Sequence, residues 1–290
     1  MTVLSNTSLN TPLNTPLNTP IWINGEPQTN LPVSDRGLAY GDGVFETIRI
    51  ASGQPTLVSL HWWRLKDSCR RLGIILDTPT LICEVDAFLK TQEVGDCILK
   101  VIITRGSGGR GYSPEGCQHT TRCLSLHPLP VRPVDPAFSG ARVMSCKLRL
   151  GRSVLAGMKH LNRLEQVMAR SEWQGSQWDE GIVSDFDEFL IEGTMSNLFI
   201  VTGDGRLLTP DLSHCGVAGV GREYILNKAK ALGLRVEVGQ YRLADLDIVE
   251  MFLCNSVNGV WPVVEFAGHC LDIGTETIRI RDCLLEELNA

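Results

Sequence analysis

Apolar residues recur along this chain at two spacings, which divide it into strands and helices. Ile21-Trp22-Ile23 runs into Asn24-Gly25, a hairpin signal. Over 43–50 the alternation has period two: Val44, Glu46, Ile48 and Ile50 share one face, with Phe45, Thr47 and Arg49 on the other. The second face reads either as a pocket wall or as a half-exposed edge. Trp62, Leu65, Cys69 and Leu72 make a helical stripe over 59–72, with Ser59 placed to cap it. Arg64 lies off that stripe and, taken alone, reads as a surface arginine. A helix near 80–90 and strands over 97–105 and 121–127 follow.

Four prolines within His127-Pro128-Leu129-Pro130-Val131-Arg132-Pro133-Val134-Asp135-Pro136 mark a stiff linker over 128–139. It separates a small domain over 21–127 from a larger one over 140–290. The larger half predicts strands over 141–148, 178–184, 197–201 and 248–253, and helices over 218–232 and 275–287. A further amphipathic helix carries Leu161, Leu164 and Met168. Strands and helices mix without strict βαβ alternation, so the fold class is α+β (mixed α/β). Residues 1–20 repeat Asn-Thr-Pro-Leu with period four, and prolines at that spacing block helix and sheet alike, predicting a flexible extension.

Composition narrows the function. A net charge of -6 without a basic run argues against nucleic acid. No apolar run is long enough to span a membrane, and the N-terminus lacks signal-peptide character, so a cytoplasmic protein is expected. Ten cysteines are scattered without a C-x-x-C pair and read as reduced thiols; the six histidines form no zinc constellation. Arginine outnumbers lysine 20 to seven, which favours bidentate recognition of carboxylate or phosphate and leaves few lysines for covalent chemistry.

Lys159 is the sharpest of these seven. It follows Gly157-Met158, where a turn is predicted to become a helix, and the positive end of the helix dipole disfavours an ammonium there. A free amine suits Schiff-base chemistry, although position alone fits a solvated lysine as well. Gly106-Ser107-Gly108-Gly109-Arg110-Gly111 formally contains G-x-G-x-x-G, but the following Tyr112-Ser113-Pro114 is a turn, not the helix a dinucleotide site requires. Arg105, Arg110 and Tyr112 could instead clasp a carboxylate. Glu192 ends a strand and, taken alone, reads as an exposed carboxylate, while Gly219-Val220-Gly221 opens a helix whose N–H groups suit an anion.

Four segments, Ser34-Asp35-Arg36, Gly41-Asp42-Gly43-Val44-Phe45-Glu46-Thr47, Arg105 to Tyr112, and Gly157-Met158-Lys159-His160-Leu161-Asn162-Arg163-Leu164-Glu165-Gln166, occur in one order. In this the chain resembles the class IV (fold type IV) pyridoxal-phosphate-dependent aminotransferase family from about residue 21 onward, and within it the aminodeoxychorismate lyases. The resemblance implies a two-domain class IV aminotransferase-like fold and a homodimer. It also implies pyridoxal 5'-phosphate bound covalently by Lys159, with Glu192 at its pyridine nitrogen. Arg64, the backbone of Val220 and Gly221, and Ser256 would hold the phosphate. Lys159 and Thr47 would be catalytic, and Arg110, Arg105 and Tyr112 would meet substrate. The implied reaction converts 4-amino-4-deoxychorismate to 4-aminobenzoate and pyruvate in folate biosynthesis; the alternative is a D-amino acid or branched-chain amino acid transaminase. Leu164 stands where the branched-chain enzymes carry a tyrosine, which argues against the second of these.

Overall fold

A computed structural model describes residues 19–92, 94–130, 134–175 and 177–290. The expected extension over 1–20 thus falls, apart from Thr19 and Pro20, outside the described residues, as do positions 131–133 of the linker.

The first part runs β1 (Ile21–Ile23), β2 (Glu26–Pro27), α1 (Arg36–Tyr40), β3 (Gly43–Ala51), β4 (Gln54–Pro55), α2 (Val58–Leu72), α3 (Thr78–Thr91), β5 (Cys97–Thr104) and β6 (Thr121–His127). Its strands form one antiparallel sheet in the order β2-β1-β6-β5-β3-β4. Asn24 and Gly25 both take positive φ, as a tight hairpin between twisted strands demands. The alternation on β3 is realised: Val44, Glu46, Ile48 and Ile50 are buried, and Phe45, Thr47 and Arg49 half-buried. The buried face of β3 packs with Leu65 and Cys69 of α2, Leu81, Val85 and Phe88 of α3, and Leu99, Val101 and Ile103 of β5. Each such aliphatic side chain contributes about 1.5–3 kcal/mol on burial.

The expected face of α2 is rotated. Its buried residues are His61, Arg64, Leu65, Ser68 and Cys69; Trp62 and Leu72 are half-buried. Ser59 does not cap it: the N-cap is Leu57, in the left-handed region with no side-chain hydrogen bond. Arg64 is buried because its charge has a partner inside the protein, which a hydrophobicity pattern cannot register.

The second part runs α4 (Pro136–Ser139), β7 (Ala141–Leu150), α5 (Leu164–Arg170), β8 (Glu180–Asp185), β9 (Leu190–Gly193), β10 (Asn197–Thr202), β11 (Arg206–Pro210), α6 (Val220–Ala231), β12 (Arg235–Gly239), β13 (Ile248–Asn255), β14 (Gly259–Phe266), β15 (His269–Cys270) and α7 (Thr275–Asn289). The end of the expected linker is the short helix α4, capped by Asp135. The strand order is β12-β11-β10-β13-β14-β7-β8-β9, and β9 also pairs with β10, so six strands close into a barrel. That closure consists of Asn197 paired with Glu192. One face of the β10–β13–β14 sheet packs under α6 and α7, through Phe199, Phe252, Ile225, Ile280 and Leu284.

The two sheets meet along residues 157–161. His160 bridges Val44, and Leu161 N–H donates to the Gly43 carbonyl at 3.0 Å. On the other side Gly157 N–H donates to Gly216 O at 2.9 Å, and Ala218 N–H to Gly157 O at 3.0 Å. Gly157 takes φ +79°, a left-handed conformation that glycine adopts without penalty.

Candidate active site

Lys159 lies in the middle of that seam. The helix expected to begin beside it starts only at Leu164, so the helix dipole does not act on the amine. Of the expected apolar stripe, Leu161 precedes α5 and is half-buried, whereas Leu164 and Met168 are exposed, as is Val167, and only Ala169 of α5 is buried. What lowers the amine's affinity for a proton is, first, burial and, second, the Arg64 charge; together they push Lys159 down to about 8 against the opposing pull of Glu46 and Glu192. Its Nζ lies 4.4 Å from the centre of the Phe45 ring and makes no hydrogen bond or ion pair among the described residues. Near neutrality such a lysine holds a usable fraction of free amine.

Glu192 reads from sequence as an exposed strand-end carboxylate and is in fact buried. Barrel closure fixes it: Oε2 accepts the Val217 N–H at 2.8 Å and lies 3.4 Å from Asn197 Nδ2, which also donates to Val217 O at 2.9 Å. Oε1 has no hydrogen bond among the described residues. Burial pushes the carboxyl up to about 7, although the Val217 N–H and the charges of Arg163 and Lys159 hold it back. A cationic N–H placed at Oε1 would restore the carboxylate form.

Arg64 reaches the same cleft from α2. Its Nε donates to Glu46 Oε1 at 2.8 Å, its Nη2 to Glu46 Oε2, and its Nη1 to Ala218 O at 3.1 Å, just before α6. The first turn of α6 begins at Val220, and its leading N–H groups have no acceptor within the helix. The bond to Ala218 O holds the guanidinium beside those N–H groups, a corner whose donors suit an anion. A Cβ at Gly219 would sit 1.9 Å from Asn197 Oδ1, so only glycine fits there. Gly221 packs against the Asn255 backbone; the next residue, Ser256, donates to Thr47 O at 3.3 Å and ties the corner to β3.

The structure thus gathers Lys159, Glu192, Arg64, Val220, Gly221, Ser256 and Thr47. Among the described residues, no side-chain hydrogen bond or ion pair joins Arg105, Arg110 or Tyr112 to them. Arg105 is not free to meet substrate as expected: its guanidinium is bidentate on Asp42 at 2.8 and 3.0 Å and donates to Leu72 O and Gly73 O. Arg110 is exposed, its side chain without a hydrogen bond or ion pair among the described residues, and Tyr112, also exposed, leans on Tyr40 at 5.4 Å. Arg36 holds the loop from beneath, donating to the carbonyls of Gly111, Tyr112 and Ser113.

Four contributors escaped the sequence reading. Arg163, next to Glu192 in charge and braced on His160 O and Met158 O, sits inside the Lys159 motif but has no periodicity to mark it. Asn197 opens a strand. Glu46 and His61 surround Arg64, and Glu46 had a signal: a carboxylate in register with Val44, Ile48 and Ile50 on a buried strand face.

Comparison with known proteins agrees with this architecture. The family described as Amino-transferase class IV matches residues 43–266. The aminodeoxychorismate lyase of Vibrio harveyi is 37% identical over 246 residues, 83% of this chain and 89% of that protein. A putative branched-chain-amino-acid aminotransferase of Methanocaldococcus jannaschii is 32% identical over 90% of this chain and 94% of its own length. The crystal structure of 4-amino-4-deoxychorismate lyase from Pseudomonas aeruginosa superposes with a TM-score of 0.88 at 43% identity, covering 93% of this chain and 100% of the other. With its family match spanning residues 43–266, and a fold shared with the Pseudomonas aeruginosa enzyme over 93% of its length, the protein belongs to the class IV aminotransferase family.

Proposed function

We propose that this protein is a pyridoxal-phosphate-dependent lyase that converts 4-amino-4-deoxychorismate to 4-aminobenzoate and pyruvate. The observation that carries the reading is the 43% identity to a lyase structure that the chain matches over that structure's whole length. The 37% identical lyase from Vibrio harveyi supports it independently.

The residues present fit the cofactor. The amine of a half-buried lysine lacks a hydrogen-bond partner among the described residues, Glu192 keeps one carboxylate oxygen open, and a helix N-terminus lies beside an arginine. Lys159 would bind the aldehyde carbon, Glu192 the ring nitrogen, and Arg64, Val220 N–H, Gly221 N–H and Ser256 the phosphate. Bound there, pyridoxal phosphate supplies an electron sink for negative charge developing beside the substrate's amine. Lys159, as the free amine, takes the proton from substrate C4. Loss of the enolpyruvyl ether at C3 then aromatises the ring, and the Thr47 hydroxyl passes a proton to the departing group. Threonine is a poor acid, so its proton is replenished from Lys159 or water. Arg110, an unpaired cation beside Tyr112, would take a substrate carboxylate.

The exposed Leu38, Tyr112, Leu164, Val167 and Met168 support a homodimer, since apolar side chains at this density suit a second copy of the chain. The two sheets support a division into domains over 21–127 and 140–290, joined by 128–139. No helix among the described residues is long and apolar enough to cross a membrane, and ten free cysteines support residence in a reducing cytoplasm.

Transamination of a D-amino acid or branched-chain amino acid is the second reading, favoured by the 32% identical Methanocaldococcus jannaschii relative. The test couples the protein to an aminodeoxychorismate-forming synthase and follows 4-aminobenzoate. Faster turnover of D-alanine or leucine with 2-oxoglutarate would overturn the lyase assignment.

A further inference from the structure

The buried ionic group behind Arg64 is larger than holding one charge requires. Glu46 is 1% exposed and His61 0%, with Arg64 at 7%. Glu46 accepts Arg64 Nε and Nη2 through both oxygens, and Oε2 also lies 2.6 Å from His61 Nδ1. Burial pushes the Glu46 carboxyl up, but the Arg64 charge, its hydrogen bond and the His61 contact outweigh it and hold it at about 2. Burial likewise keeps His61 below its ordinary value, so the ring is neutral and Nδ1 carries the hydrogen given to Glu46. His61 Nε2 is then a buried acceptor without a partner among the described residues.

Counting donors shows what this does to Arg64. A guanidinium has five N–H groups. Two go to Glu46 and one to Ala218 O, so the rest remain for a ligand at the α6 N-terminus. A bidentate carboxylate fixes the plane of the fork and the direction of the free hydrogens, which a long side chain would otherwise sample at an entropic cost.

Resting on the cofactor assignment above, we propose that Glu46 and His61 are positioning residues for phosphate recognition: Glu46 orients the Arg64 guanidinium, and His61 orients Glu46. Neither touches the phosphate. The opposite expectation is that Glu46, by neutralising Arg64, weakens its grip on a phosphate. The geometry favours orientation, because an unpaired Arg64 would also have to leave its buried site to find water.

The test titrates cofactor-free protein, prepared from the holoenzyme, with pyridoxal phosphate and separately with pyridoxal, reading the visible band. In Glu46→Gln, affinity for pyridoxal phosphate falls roughly 10–100-fold, the span of a lost charge-assisted hydrogen bond, while affinity for pyridoxal is unchanged. The Glu46→Gln, Arg64→Ala double variant binds pyridoxal phosphate no more weakly than Arg64→Ala alone, since Glu46 acts only through Arg64. His61→Asn, which keeps a donor near Nδ1, retains affinity, whereas His61→Leu loses it; this pair decides the matter if Glu46→Gln does not fold. Additive losses in the double variant, equal losses for both ligands, or tighter pyridoxal phosphate binding by Glu46→Gln would overturn the proposal. Wild-type protein that takes up no pyridoxal phosphate would instead overturn the cofactor assignment itself.

Discussion

Phe45 holds Lys159 at both ends: its amide donates to the lysine carbonyl at 2.9 Å, and its ring lies 4.4 Å from the lysine ammonium. The backbone bond fixes where the side chain starts, and the ring gives the cation a weak contact on a face that otherwise offers it none. The amine is thereby aimed without an ion pair, which leaves it available for covalent chemistry.

Lys159→Ala should abolish the visible absorbance of the bound cofactor and leave no adduct reducible by borohydride. In the wild type, cofactor uptake should accelerate as pH rises through about 8, where the amine loses its proton. A midpoint near that of free lysine, or a reducible adduct on one of the other six lysines, would refute the assignment.

Glu192 makes a second pH-dependent prediction. Its carboxyl is held at about 7 in the folded chain, above its unfolded value, so the fold binds the extra proton between about 4.5 and 7. Cofactor-free protein therefore loses stability as pH rises through that window and carries the full penalty above it. Glu192→Gln removes the charge and should raise Tm at pH 8 but not at pH 4.5. It should also lower turnover more than cofactor affinity. Melting curves at the two pH values check the first claim, and titration alongside a rate assay checks the second.

The glycine-rich loop separates two arginines of similar sequence context. Arg105→Ala should cost about 1.5–3 kcal/mol of stability, because its bonds run to Asp42, Leu72 and Gly73. Arg110→Ala removes no such bond and should leave the denaturation midpoint unchanged while raising KM. Reversal of that pattern in chemical denaturation and steady-state kinetics would exchange their roles.

Thr47→Val keeps the β-branched shape that suits a strand, and the Ser256 hydroxyl bonds only the Thr47 carbonyl, so cofactor binding should survive. If the hydroxyl delivers the proton to the departing enolpyruvate, lyase turnover falls about 10²–10⁴-fold. An unaltered rate excludes the hydroxyl as the acid.

Strand positions and most helices were legible because one burial pattern governs each of them. The period-two face of β3 emerges as read, as do α3, β5, β6 and α7. Misreadings share a cause: polar residues sit where packing expects apolar ones, or the reverse. Arg64 is buried because Glu46 lies across from it, 18 positions away. Glu192 is buried because the barrel closes at Asn197. Leu164, Val167 and Met168 are apolar yet exposed, and helical periodicity alone does not mark an apolar face that lies outside the core. The lysine motif was legible as a motif, but its physics was not. The depressed proton affinity comes from burial and a distant arginine, where a helix terminus was expected.

The seam at 157–161 also decides how the molecule comes apart. The Leu161 amide is locked to Gly43 in one sheet, while Gly157 is locked to Gly216 and Ala218 in the other. Neither sheet can open along this edge without carrying the segment between them, so slow amide exchange at Phe45, Gly157, Leu161 and Ala218 should share one opening free energy. Lys159 lies inside that cooperative unit. Its side chain keeps its address until both sheets let go, which makes the colour of the bound cofactor a reporter on the integrity of the whole chain.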